Sequence, residues 1–165
     1  MEVIVIDDFL PYNDFKNLQN FVMDSDLSWF FNPVLNTGHD TTDYTCYFTH
    51  ALFNMKKSYI FSEFYHMFGP LFYEKLEIKS LIRMKLNLYS YTETTQKHAL
   101  HRDYPFPHKG CLFSFNTCNG ATHFQDGTSI DSVENRAILF DAYELHGSTS
   151  CSDAKARINL NVNYF

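Results

Sequence analysis

The sequence predicts a mostly-β fold with flanking helices, an α+β arrangement in which N-terminal helices pack outside a jelly-roll (double-stranded β-helix, cupin-like) barrel. Three observations predict it. Apolar residues recur at helical spacing before residue 80. They alternate with polar residues from there to the end, and turn signals such as Asp126-Gly127 punctuate the alternating part. Helices first and short strands afterwards suit a sheet that closes or folds on itself, with the helices against its outside. One domain over residues 1–165 is expected, with helical support over 10–78 and the jelly-roll core over 80–165.

Taken in order, "VIVID" reads as a first strand. "PYNDFKNLQNFVMDS" follows with Phe15, Leu18, Phe21 and Val22 on one side of an amphipathic helix. A loop rich in Asn, Asp, Thr and Gly is expected over 32–45; it could cap a site or merely connect two elements. "ALFNMKKSYIFSEFYHMFGPLFYEKL" sets Phe61, Phe64, Tyr65 and Phe68 at helical spacing, so a longer second helix is expected, broken near Gly69-Pro70. Then "LIRMKLNLY" alternates Ile82, Met84, Leu86 and Leu88 against Arg83, Lys85, Asn87 and Tyr89. "GCLFSFNT", "ATHFQDGTSIDSV", "RAILFDA" and "RINLNVNYF" continue in the same style, giving about seven short strands in all.

Composition narrows the function classes. A formal charge of −6 repels nucleic-acid backbones. Cys46, Cys111, Cys118 and Cys151 form no CxxC pair and read as reduced thiols. The apolar run at the amino terminus is cut by Asp7 and Asp8, so neither a signal peptide nor a membrane span is expected. A cytoplasmic protein without membrane contact follows. Seventeen Phe and eleven Tyr suit a ring-lined interior.

The chemistry collects at two places. In "KHALHRDYPFPH", His101 and Asp103 stand at i and i+2, so in extended chain they face one point while Arg102 faces away. In "ILFDAYELHGSTS" an apolar strand runs out into a turn that carries His146. Two imidazoles and one carboxylate match the facial triad of non-haem iron, which leaves open positions on the metal; structural zinc would want a closed tetrahedral set. HxD alone is a weak signal. "KARINLNVNYF" sharpens it, because alternation puts Arg157, Asn159, Asn161 and Asn163 on one face. A guanidinium beside an open metal site suits a carboxylate held by two parallel hydrogen bonds. An isolated strand could turn that polar face to water, but two polar faces flanking both motifs favour a polar cavity.

At this point the sequence resembles a known family. "HRD" at 101–103, "HG" at 146–147 and Arg157 in "RIN" are similar to the HxD…H…R pattern of Fe(II)- and 2-oxoglutarate-dependent dioxygenases, over most of residues 80–165. Asn87 and Tyr89 in "NLY", with "RIN", resemble the arrangement in alkylated-nucleic-acid repair dioxygenases. The stretch from Asn116 to Gly147 resembles small prolyl-hydroxylase-like members, many of them phage-borne or microbial. The resemblance implies that His101, Asp103 and His146 bind Fe(II). Arg157 would pair with the distal carboxylate of 2-oxoglutarate, helped by Tyr89, Asn87 and Asn159. O2 would take the last open position, and decarboxylation to succinate and CO2 would drive oxidation of a C–H bond, a hydroxylation. If the chain is phage-encoded, the compartment is the host cytoplasm.

The sequence also departs from the pattern. Repair dioxygenases carry a second arginine six residues beyond the first, where this chain has Asn163, and no long basic insertion that could serve as a nucleotide-flipping lid is visible. A peptidyl, amino-acid or small-molecule substrate therefore ranks above nucleic acid, and a nucleic-acid-directed oxidative demethylase is kept as a second alternative. The first alternative is a non-oxidative cupin-like module that binds metal or sugar; Arg157 argues against it. Other candidates have blander readings. His108 is expected to be solvated or at a substrate edge, and His123 to be a strand residue without a ligand partner. Arg83 and Lys85 are placed at the barrel rim, and Tyr91 as a substitute for Tyr89 on the same face.

Overall fold

The alternating segments beyond residue 80 assemble the greater part of two facing sheets. The computed structural model describes residues 2–24, 26–33, 46–57 and 59–165. The strands are β1 (Ile4–Ile6), β2 (Phe30–Asn32), β3 (Tyr47–Asn54), β4 (Tyr59–Ile60), β5 (Leu81–Ser90), β6 (Lys109–Ser114), β7 (Cys118–Phe124), β8 (Ser129–Ser132), β9 (Arg136–Asp141), β10 (His146–Ser148) and β11 (Ala156–Tyr164). The helices are α1 (Tyr12–Met23) and α2 (Tyr65–Leu76). The larger sheet has eight strands in the order β1-β9-β6-β11-β5-β3-β2, with β4 joined to β3. The smaller has three, β10-β7-β8. All named pairings are antiparallel, so the jelly roll is realised as a two-sheet sandwich.

The central strands β5 and β11 are buried on both faces, and the two faces differ in chemistry. One presents Met84, Leu86, Ile158, Leu160 and Val162 to a core completed by Phe15, Leu18 and Val22 of α1 and by Phe68, Phe72 and Leu76 of α2. Each of the large side chains fully buried there contributes roughly 1.5–3 kcal/mol by leaving water. The other face carries Arg83, Lys85, Asn87, Tyr89, Arg157, Asn159, Asn161 and Asn163. Leu112, Phe124, Ile138, Phe140 and Ala142 form a second, smaller apolar cluster that includes residues of both sheets. The Asp126-Gly127 signal closes the β7–β8 hairpin, with Gly127 at φ 92°, a backbone state that side chains disfavour.

Two expectations need correction. Residues 51–76 are not one long helix. Residues 47–54 pair with β5 as β3, and only Tyr65–Leu76 is α-helical. The helix is also not broken at Gly69-Pro70. It runs through Pro70, which has no N–H to donate to the His66 carbonyl. The span read as helical support thus holds three strands besides its helices. The expected 32–45 loop lies, from residue 34 onward, outside the described residues.

Candidate functional site

His101 and His146 come together through backbone pairing. Each donates its N–H to the other's carbonyl, at 2.9 and 3.1 Å, and this bridge seats the segment after β5 against β10. Their rings lie 4.9 Å apart between centroids. Asp103, two residues on, brings Oδ1 to 3.8 Å from His101 Nε2 and Oδ2 to 3.9 Å from His146 Nε2. One ligand atom from each of the three residues falls within 4.8 Å of the others, a spacing that a single cation can bridge. The donors suit a divalent ion. The Glu144 carbonyl accepts from His146 Nδ1 at 2.9 Å, which leaves Nε2 with its lone pair, and that buried atom has no hydrogen-bond partner. Burial, and next the neighbouring imidazole of His146, lower the pKa of His101 to about 4, so its ring is a neutral donor at physiological pH.

Asp103 is the most constrained member. Arg83 Nη2 donates to Oδ1 at 2.7 Å, while Asn161 and Asn163 donate to Oδ2 at 3.1 and 2.9 Å. Burial alone would raise its pKa. Arg83 outweighs that, with help from His146 and the two amides, and holds the carboxyl well below the ordinary carboxylate range. Arg83 is therefore not a rim residue. His108 also departs from its reading: it is buried, with Nδ1 at 2.8 Å from the Phe106 carbonyl and Nε2 at 3.2 Å from Asn163. Asn163, where repair dioxygenases carry an arginine, serves Asp103 directly.

The remaining expected residues occupy one face of β5 and β11, where the register pairs Arg157 with Tyr89, Asn159 with Asn87, Asn161 with Lys85 and Asn163 with Arg83. Asn87 donates to Asn159 at 2.9 Å. A cavity opens over this face, lined by Lys85, Asn87, Tyr89, Asn159 and Asn161 together with all three members of the triad. Arg157 lies just behind the lining, 1% exposed, and donates to Thr122 Oγ1 at 2.9 Å and the Thr149 carbonyl at 3.2 Å. The Tyr89 ring centroid is 5.8 Å from its guanidinium carbon. Among the described residues no carboxylate pairs with Arg157, and burial lowers its pKa. Tyr91, by contrast, is 53% exposed, and exposed Arg102 donates to the Tyr143 carbonyl away from the triad. Sequence reasoning missed the roles of Arg83 and His108, and Tyr47 altogether. The polar alternation of β5 pointed to Arg83 and the turn after Pro107 to His108; nothing marked Tyr47.

No family model matches this sequence, and no curated protein matches it. Solved structures do. A prolyl hydroxylase from Trichoplax adhaerens, in complex with a hypoxia-inducible-factor oxygen degradation domain peptide fragment, superimposes with a TM-score of 0.69 at 11% identity, covering 99% of this chain and 83% of that one. A 2OG-Fe(II) oxygenase family oxidoreductase from Burkholderia pseudomallei gives 0.68 at 11% identity, covering 98% and 84%. HygX from Streptomyces hygroscopicus, with nickel and 2-oxoglutarate bound, gives 0.63 at 8% identity, covering 98% and 82%. The chain has the fold of the 2OG-Fe(II) oxygenases. At such identities the likeness is one of fold. No helix among the described residues is long and apolar enough to cross a membrane.

Proposed function

We propose that this chain is an Fe(II)- and 2-oxoglutarate-dependent dioxygenase acting as a hydroxylase. The observation that carries the reading is the convergence of His101, Asp103 and His146 on one point of a cavity, with buried Arg157 two register rows away. His101, Asp103 and His146 would hold the metal, and the fold is shared with a 2OG-Fe(II) oxygenase family oxidoreductase and with HygX, which binds nickel and 2-oxoglutarate. Bound ferrous iron and 2-oxoglutarate supply the oxidising chemistry, with succinate and CO2 as co-products.

The chain's own residues supply position and polarity. Arg83, Asn161 and Asn163 keep Asp103 ionised and fix the direction of its oxygens. The Glu144 carbonyl fixes the tautomer of His146. Arg157, with Tyr89 beside it, is the cation available to the distal carboxylate of the cosubstrate, and the Asn87–Asn159 pair spans the distance between. The primary substrate is read as a peptidyl, amino-acid or small-molecule carbon.

Anaerobic titration with ferrous iron and then 2-oxoglutarate tests the reading. A visible charge-transfer band is expected in the wild type, absent in His101→Ala and Asp103→Ala. In Arg157→Leu the 2-oxoglutarate requirement should rise about 10- to 100-fold, the worth of a charge-assisted contact. A wild-type protein that shows no band would overturn the assignment.

A further inference from the structure

The cavity has a second cation that the reading above does not use. Lys85 lines it on β5, opposite Asn161 on β11. Its ammonium meets Tyr47 of β3: the hydroxyl at 3.5 Å and the ring, whose centroid is 5.3 Å from Nζ. Among the described residues no carboxylate lies within ion-pair distance of Lys85; the nearby Asp103 is taken by Arg83. Burial, and next the charge of Arg83, lower the pKa of Lys85 to about 7. A carboxylate brought beside it would restore the charged form.

The strand register works as a ruler. Asp103 accepts from Asn161, opposite Lys85, and from Arg83 and Asn163 in the neighbouring same-face row, so the Lys85 row borders the triad. Arg157 and Tyr89 lie two rows further along, and successive same-face rows are roughly 6.5–7 Å apart. A five-carbon dicarboxylate with its oxo-acid end on the metal directs its other end along this ladder toward Arg157. Its distal carboxylate is then met by Arg157, and Lys85 stands beside the reacting end. The cavity region thus holds buried Arg157 and half-buried Lys85, neither with an acid partner among the described residues, one cation more than the distal carboxylate of the cosubstrate requires.

We propose that Lys85, together with the Tyr47 hydroxyl, binds a carboxylate of the primary substrate close to the carbon that is oxidised. This rests on the reading of the cavity as a 2-oxoglutarate site. The substrate class is an acid: a free carboxylic acid such as an amino acid or hydroxy acid, or a peptide whose acidic side chain reaches the same point. Burial of Tyr47 pushes its hydroxyl up to about 12, so it stays protonated and can donate to an oxyanion.

The test uses anaerobic protein loaded with Fe(II) and 2-oxoglutarate, and ligand-observed NMR of two matched probe pairs. One pair is propionate and propionamide; the other is acetyl-Gly-Asp-Gly-amide and its Asn counterpart. In the wild type the acid of at least one pair should bind about 10-fold more tightly than its amide. In Lys85→Met that preference should vanish, while the affinity for 2-oxoglutarate, followed by the visible band, stays within about 2-fold. Lys85→Gln, which keeps a polar head, is the second variant, and far-UV circular dichroism checks both folds. A preference in the first pair assigns free acids; one confined to the second assigns a peptide side chain. Equal binding of acid and amide in both pairs overturns the proposal, as does a preference that survives in Lys85→Met. A 10-fold loss of 2-oxoglutarate affinity in that variant also overturns it, by giving Lys85 to the cosubstrate. A wild type without the band fails separately, since then the parent reading falls before any probe is added.

Discussion

Asp103 accepts hydrogen bonds from three side chains, one on β5 and two on β11, before any ion is added. Such a carboxylate is a preorganised ligand, but its main partner is a cation that burial makes costly to strand. Removing one partner of a buried pair costs about 3–5 kcal/mol, whereas removing both costs much less than the sum. Arg83→Met should therefore lower the urea midpoint of the metal-free protein strongly, and Asp103→Asn should do the same. The double variant should recover part of the loss. Strictly additive losses would show that the 2.7 Å contact carries no coupling. The same pair marks the limit of sequence reading at this scale. His101 and Asp103 are legible because their relation is local, two residues in extended chain. Arg83 is twenty positions away from its partner, and alternation gave its face without its depth.

At the scale of elements, the strands that hold the site were readable because period-two alternation persists over β5 and β11, and the two polar faces it showed are the faces that line the cavity. Strand β3 was not readable. "YFTHALFN" gains its conformation from pairing with β5, a partner 29 to 40 residues away, and the helical spacing of Phe64, Tyr65 and Phe68 belongs to the start of α2 and drew the helix reading back toward it. Tyr47, which meets Lys85, went unseen with it. Close approach between elements was equally hidden. Gly120 on β7 lies against the β11 side chain of Arg157: a Cβ there would come to 2.7 Å from Arg157 Cδ and 2.8 Å from the Ser150 carbonyl oxygen. The carbonyl is backbone and has little room to yield, so the guanidinium must move. Gly120→Ala should weaken 2-oxoglutarate binding about 10-fold and cost roughly 1–3 kcal/mol of stability, with ferrous binding nearly unchanged. Isothermal titration with each ligand separates the two effects. Unchanged cosubstrate affinity would mean that Arg157 is free to shift without consequence.

For the whole molecule, the sequence predicted a jelly roll, and the chain forms one as two facing sheets of eight and three strands. How strands divide between sheets depends on long-range pairing that no local pattern encodes. The division matters because the candidate ligands straddle it. His146 belongs to the small sheet, whereas Asp103 is held by β5 and β11 of the large one. His101 connects them through its backbone bridge to His146. The small apolar cluster around Phe124 and Phe140 and the Arg157–Thr122 hydrogen bond also tie the sheets together, and a cation at the triad would add a further clamp. Ligand that binds only the native state stabilises by about 2.7 kcal/mol at a hundred times its dissociation constant. For a domain of this size that is roughly 5–10 °C in Tm. Adding Ni(II), which does not start turnover, should raise Tm by this amount in the wild type, and a chelator should return it to the metal-free value. His146→Ala should remove the increment while keeping a cooperative transition, because the variant loses the ligand that belongs to the small sheet. An equal nickel-induced rise in that variant would place the ion elsewhere and detach the clamp from the triad.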